Sequence, residues 1–185
     1  MGHLAPMSDG SRILDIPEDQ WSSEQKEAIE ALVQGRGRLL TPYRVWIHSP
    51  FVAQAMERLG TFLNKKSSLS EREVELGIVL TAKHWAGEYV FEVHVKTCLS
   101  LGYPQAVMDA IRNGQTPPFD NPRERSIYEL SQVAQQPGPG SEQVFDSAVA
   151  NLGRNGLAEA LALFGYYSAV AIAMKLHRVP VPGRE

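Results

Sequence analysis

Cysteine is all but missing from this chain: Cys98 is the only one in 185 residues. One thiol excludes an internal disulfide and any zinc site built from several cysteines, and it suits a reducing compartment, so a cytoplasmic location is expected. An excess of positive charge is missing as well. Eighteen basic against 21 acidic residues leave a net charge of -3 and a pI near 6.0. That balance provides no basic stripe to neutralise phosphates, so no nucleic-acid partner is expected. There is no GxGxxG after a strand, no Walker lysine loop and no GxSxG elbow, which removes dinucleotide, nucleoside-triphosphate and serine-hydrolase readings. The opening residues MGHLAPMSDGSR lack an apolar run, so neither a signal peptide nor a membrane anchor is expected there.

What is present is an ordinary globular composition, 43% hydrophobic and 21% charged, which argues against disorder. The length suits one helical domain over residues 21–182 preceded by a flexible arm at 1–20. The longest apolar stretch, Leu157 to Met174, approaches the lower length of a membrane span. It carries Glu159, Gly165, Tyr166, Tyr167 and Ser168. A helix buried in a core or at a subunit interface therefore explains it better than a membrane does.

Helix signals recur and strand signals are scarce. Ser22 to Gln25 has the form of a capping box, and Ala28, Ile29, Leu32 and Val33 keep the helical rhythm until Gly35 and Gly37. Ser49 and Pro50 open a second helix with Phe51, Val52, Ala55, Met56, Leu59, Phe62 and Leu63 on one face. A second capping box, Ser70 with Glu73, starts a third helix running to about Lys83. Gly87 marks a joint before a fourth helix, from about Glu88 to Leu101, stopped by Gly102. A short helix follows from Pro104 to Arg112, then a loop over Gln115 to Asp120. Another helix begins at Asn121-Pro122. After the break at Pro137 to Gly140, Ser141 caps a helix that ends near Gly153 to Gly156, where the long apolar helix begins. The sum is an all-α bundle of about seven or eight helices.

The chemistry concentrates between Glu75 and His94, ELGIVLTAKHWAGEYVFEVH. Glu75 shares a helix face with Ile78, Val79 and Ala82, so its carboxylate either points toward the core, where it requires a donor or a role in proton transfer, or serves the helix dipole from the surface. His94 stands between Val90 and Cys98 on an apolar face, the place of a core histidine bonded to a carbonyl or of a catalytic imidazole. Glu88 and Tyr89 occupy the first turn of that helix, either as a simple capping pair serving the dipole or beside backbone N–H groups that hold a substrate anion. His84 is a candidate neighbour of the site. Glu75, His84, Glu88, Glu92 and His94 include metal-ligand types, but their spacing matches no metal motif, so no metal is expected.

These residues carry a resemblance. REVELGIVLTAKHWAGEYVFEVHVKTCLSLGYPQAVMDAIRNG is similar to the core of the carboxymuconolactone decarboxylase family, with an early helix glutamate, an EY-containing joint and a following histidine. RVWIHSPFVAQAMERLGTFLNKKSSLSERE resembles that family's preceding helix, and FGYYSAVAIAMKLHRVPVP its C-terminal helix and tail. The similarity spans roughly residues 40–182 and implies an AhpD-like helical bundle.

The resemblance also implies a chemistry. The AhpD-like branch uses a glutamate, a CxxC pair and a histidine, but here Gly87 and Val90 stand where its cysteines would be. A dithiol cycle needs two sulfurs, so peroxidase or disulfide reductase activity of that type is disfavoured. The other branch needs no thiol, metal or organic cofactor. It implies a decarboxylase or isomerase acting on a small carboxylated lactone or aromatic ring-fission product. In that reading His94 donates or shuttles the proton, Glu75 tunes it, and Glu88 and Tyr89 orient the substrate or face the oxyanion. His84, Trp85 and His48 are the expected substrate-binding residues. The family pattern often has a glutamate and a tryptophan where Val90 and Phe91 stand, which leaves the substrate open. A trimer or hexamer is implied too. The competing readings are a non-catalytic oligomeric scaffold and one-cysteine redox chemistry at Cys98.

Overall fold

A computed structural model describes residues 10–183. Among them are eight α-helices and one short 3-10 turn: η1 (Glu18–Gln20), α1 (Ser23–Arg36), α2 (Thr41–Trp46), α3 (Pro50–Lys65), α4 (Glu71–His84), α5 (Glu88–Ser100), α6 (Gln105–Arg112), α7 (Pro122–Ala134) and α8 (Glu142–Leu176). The helix starts follow local chemistry. Ser22 with Gln25 and Ser70 with Glu73 each close a full capping box, satisfying two otherwise orphaned donors. Gly37 ends α1 in the left-handed conformation, φ 77°, which glycine adopts without a Cβ clash.

α4 is the axis of the molecule. Every residue from Glu73 to Ala82 is buried, because α3, α5, α6, α7 and α8 all pack against it. Leu76, Ile78 and Val79 are completely enclosed, each contributing roughly 1.5–3 kcal/mol by leaving water. A smaller cluster, Ala28, Leu32, Tyr43, Ile47 and Ala53, joins α1, α2 and α3. Two ion pairs tie α7 to the N-terminal end of α4: Arg123 to Glu73 at 2.5 Å and Arg72 to Glu124 at 3.0 Å.

α8 has the length and hydropathy of a membrane-crossing helix, but about half of its most apolar window is covered by the fold. Its one buried acid is satisfied: Glu159 Oε2 accepts from the Ser68 amide and hydroxyl, each at 2.7 Å, and Oε1 from Asn155. The break expected over Gly153 to Gly156 shrinks to Gly153 alone, at φ 73° and ψ 167°. Gly156 instead packs against Leu152 and Leu69.

Two expectations change, and one helix was not foreseen. Within the arm expected to be loose, residues 1–9 lie outside the described residues, whereas residues 10–20 are fastened to the domain. Ile13 is buried, the Arg12 amide donates to His177 O at 2.7 Å, and Asp15 pairs with buried Arg44. The α3 face expected to be inward is mostly outward: α3 buries Ala53, Glu57, Gly60 and Leu63, while Phe51, Val52, Leu59 and Phe62 are exposed. Close approach is the reason, since a Cβ on Gly60 would overlap the Tyr166 hydroxyl and Arg36 Nη2. α2 had no sequence signal, being too short to display a period.

Candidate active site

α4 and α5 form a tight antiparallel hairpin. Its joint is compact because Ala86 takes φ 51° and Gly87 lets α8 come close; a Cβ on Gly87 would lie 2.8 Å from the Ala171 Cβ. The hairpin sets Glu75 beside His94, and His94 Nδ1 lies 2.7 Å from Glu75 Oε2. Glu75 is 8% exposed. An ionised carboxylate only accepts hydrogen bonds, so Nδ1 carries the proton and Nε2 is left as the exchangeable nitrogen. The imidazole also meets the Tyr167 ring edge-on, at 5.7 Å between centroids.

His94 lines a cavity of about 410 Å³, a volume suited to a small organic molecule. Its polar wall is largely phenolic. Tyr43 and Tyr166 hydroxyls are 3.1 Å apart, Tyr167 donates to Asn64 Oδ1 at 3.0 Å, and the Tyr89 hydroxyl lies 3.1 Å from Thr41 Oγ1. Burial pushes the Tyr43, Tyr166 and Tyr167 hydroxyls above the usual phenol range, so all three remain neutral donors near pH 7. Arg36 and Arg38 line the same cavity.

The structure brings together only part of the expected set. Glu75, His94 and Tyr89 meet at or beside the cavity. Glu88 does not: it is exposed on the far side of the α5 N-terminus, near Ala86, Gly87 and Arg112. One residue of helical rotation separates it from Tyr89 and turns it outward. The expected substrate-binding residues are elsewhere too. His84 is exposed and packs edge-on against Trp85, Trp85 Nε1 donates to Ser168 Oγ, and His48 contacts Leu14 O. Sequence reasoning missed Arg36, Tyr43, Asn64, Tyr166 and Tyr167. Two carried a signal, because adjacent tyrosines inside an apolar helix need hydroxyl partners.

Cys98 is wholly buried and does not line the cavity. Burial first, and then the Glu75 carboxylate, push its thiol up to about 12. The single-cysteine redox reading loses its basis, since the thiolate is the reactive species. Among the described residues no group of three or more histidine, cysteine or acidic side chains could hold a metal ion.

No protein-family profile and no curated protein sequence matches this chain. Solved structures do. The debrominase Bmp8 aligns at 12% identity and TM-score 0.72 over 95% of each chain, and a cysteine-to-alanine variant of Bmp8 in complex with 2,3,4-tribromopyrrole aligns at TM-score 0.69. An uncharacterised peroxidase-related protein from Silicibacter sp. TM1040 aligns at 14% identity and TM-score 0.70, over 98% of this chain and 96% of its own. A protein of unknown function from Agrobacterium tumefaciens, provisionally assigned as the antioxidant defence protein AhpD, aligns at 13% identity and TM-score 0.67, over 76% of this chain and 97% of its own. These likenesses establish the AhpD-like helical fold for this chain, the architecture implied by the resemblance of its central residues.

Proposed function

We propose that this protein is a cofactor-independent lyase or isomerase that moves a proton on a small carboxylated lactone or aromatic ring-fission product. The observation that carries the reading is the 2.7 Å contact between Glu75 and His94 at the wall of a ligand-sized cavity. In a decarboxylation of this class, the bond to the departing carboxylate breaks and carbon dioxide leaves. The electron pair spreads through the conjugated system onto the lactone carbonyl oxygen. His94 Nε2 then delivers a proton to the remote carbon and regains one from water, so one proton is consumed per turnover. Glu75 holds the imidazole in the required tautomer and stabilises its charged form. Neutral phenols facing the cavity are suited to the developing oxyanion. Glu88 has no part in this scheme.

The peroxidase or disulfide reductase alternative draws support from the fold of its neighbours, but the second sulfur is absent and the first is inert. A scaffold without chemistry is disfavoured by a carboxylate–imidazole pair beside open volume. Self-association into a trimer or hexamer belongs to the same proposal. It is supported by the outward apolar stripe of α3, where Phe51 is 73% exposed. A screen of carboxylated lactones and ring-fission products by thermal shift, followed by product analysis of the hits, tests the activity. Binding to the folded state alone raises the melting temperature. Absence of any hit converted in a His94-dependent manner overturns the proposal.

A further inference from the structure

The cavity holds a second chemical group that the proton-transfer scheme leaves unused. Arg36, at the end of α1, lines the wall that α2, α3 and α8 build with Tyr43, Asn64 and Tyr166. Its Nε is buried and has no hydrogen-bond partner. Among the described residues no salt bridge involves Arg36; its guanidinium faces the Tyr43 hydroxyl, and the buried carboxylate of Glu57, on the same hydroxyl, accepts from Thr61 Oγ1 at 2.6 Å. A buried Nε–H without an acceptor is costly, by roughly 1–3 kcal/mol, even though Arg36 as a whole is half-buried. An arrangement of this kind is stable in use when a ligand supplies the acceptor.

The neighbouring phenols point to the same ligand. The bare backbone of Gly60 allows Arg36 Nη2 and the Tyr166 hydroxyl to share one place. Tyr166 and Tyr43 exchange a single hydrogen bond at 3.1 Å. Two hydroxyls carry two protons, so one O–H remains to donate beyond the pair. Cation and phenol together make a site for a planar oxyanion. Along the wall, the Tyr166 ring packs on Tyr167 at 5.0 Å between centroids, and Tyr167 packs on His94 at 5.7 Å. Two aromatic rings thus separate the guanidinium from the imidazole, a spacing fit for one small molecule spanning both.

We propose that Arg36, with the Tyr43–Tyr166 hydroxyl pair, is an anion-binding subsite that holds a carboxylate which the substrate keeps through the reaction. The inference rests on the proton-transfer reading only in assigning which carboxylate is held. A cation on the departing carboxylate would stabilise the ground state more than the transition state, because that charge leaves as neutral carbon dioxide. The held group is therefore a second one, and the substrate is a dicarboxylate or a carboxylated phenol. Arg38, exposed at the rim of the same cavity, adds positive charge on the approach.

Benzoate and its neutral isostere benzamide are the probes, titrated calorimetrically into the full-length protein. The wild type is expected to bind benzoate at least about ten-fold more tightly than benzamide. Arg36→Met is expected to weaken benzoate by about 10- to 100-fold, the range for hydrogen bonds to a charged group, and to leave benzamide unchanged. Arg36→Lys should fall between, since an ammonium lacks the planar fork. His94→Gln should bind benzoate within a few-fold of the wild type. Should Arg36→Met fail to fold, labelling of Arg36 by phenylglyoxal in the wild type decides: benzoate protects it if the subsite exists, and benzamide does not. Equal binding of the two probes, no benzoate binding at millimolar concentration, or Arg36→Met binding benzoate like the wild type would each overturn the subsite. A His94→Gln protein that still turns over substrate, with Arg36-dependent benzoate binding intact, removes the proton-transfer reading and leaves the subsite standing.

Discussion

Replacing Cys98 separates thiol chemistry from thiol-free chemistry in this fold. The side chain is completely enclosed on α5, one turn beyond His94, and its thiol is pushed from an ordinary value of 9.0 up to about 12. At pH 8 that shift lowers the thiolate fraction by roughly three orders of magnitude, before any steric protection is counted. Iodoacetamide should therefore leave native protein unlabelled over hours and label it fully in denaturant, as read by intact mass. Cys98→Ala should cost about 1–2 kcal/mol for the small void left in the core and leave turnover and His94 dependence intact. The sign of the linked pH effect is fixed as well. Because the folded thiol binds its proton more tightly than the unfolded one, its contribution is fully present below about pH 9 and declines as pH rises toward 12. The loss is at most about 4 kcal/mol. The buried tyrosines act in the same direction, so the protein should unfold readily in alkali, with Cys98→Ala shallower over pH 9–12. Rapid alkylation of the native thiol, or loss of turnover in Cys98→Ala with the fold retained, would refute this account of the site.

Further expectations concern the cavity and its support. His94→Gln should abolish turnover of any substrate found by the lactone screen while circular dichroism stays unchanged, and Glu88→Gln, outside the cavity, should keep turnover within about two-fold. Reversal of that pattern would relocate the chemistry to the α5 N-terminus. Gly60→Ala should destabilise by about 1–3 kcal/mol through overpacking and weaken benzoate binding, measured by urea titration and calorimetry, because the added methyl overlaps Tyr166 and Arg36. Arg123→Met should cost about 1–3 kcal/mol, because it removes the guanidinium donors of buried Glu73 and leaves its carboxylate only the Ser70 amide. Burial opposes ionisation of Glu73, but the hydrogen bond from Arg123 helps bring its carboxyl below the usual range on balance. The pair therefore contributes above the unfolded carboxylate pKa and is lost as pH falls through the folded one. The variant should accordingly show a flatter acid limb in its stability profile.

How much was legible in advance varies with the range of the interaction involved. Capping boxes at Ser22 and Ser70 are local, contained in four residues each, and both form as read. The Glu75–His94 contact was also within reach, because one hairpin of two helices brings the pair together. Glu88 misled because first-turn position says what the backbone favours there but not which way a side chain turns relative to a third helix. The α3 stripe misled for a related reason: its large apolar residues kept the helical period, yet the buried face went to Gly60 and Glu57, where Tyr166 and Arg36 needed room.

By itself the sequence determined the helical class, the helix limits set by caps and glycines, and the exclusion of dithiol and multi-cysteine metal chemistry. These follow from composition and from contacts within one or two turns, whereas the pairing of Glu75 with His94 needed the α4–α5 hairpin to close. Only the tertiary structure decided that Arg36, Tyr43, Asn64 and Tyr166 share a wall with His94. Those residues come from α1, α2, α3 and α8, separated by up to 130 positions. No local pattern relates them, because their proximity is set by how helices pack around the buried α4.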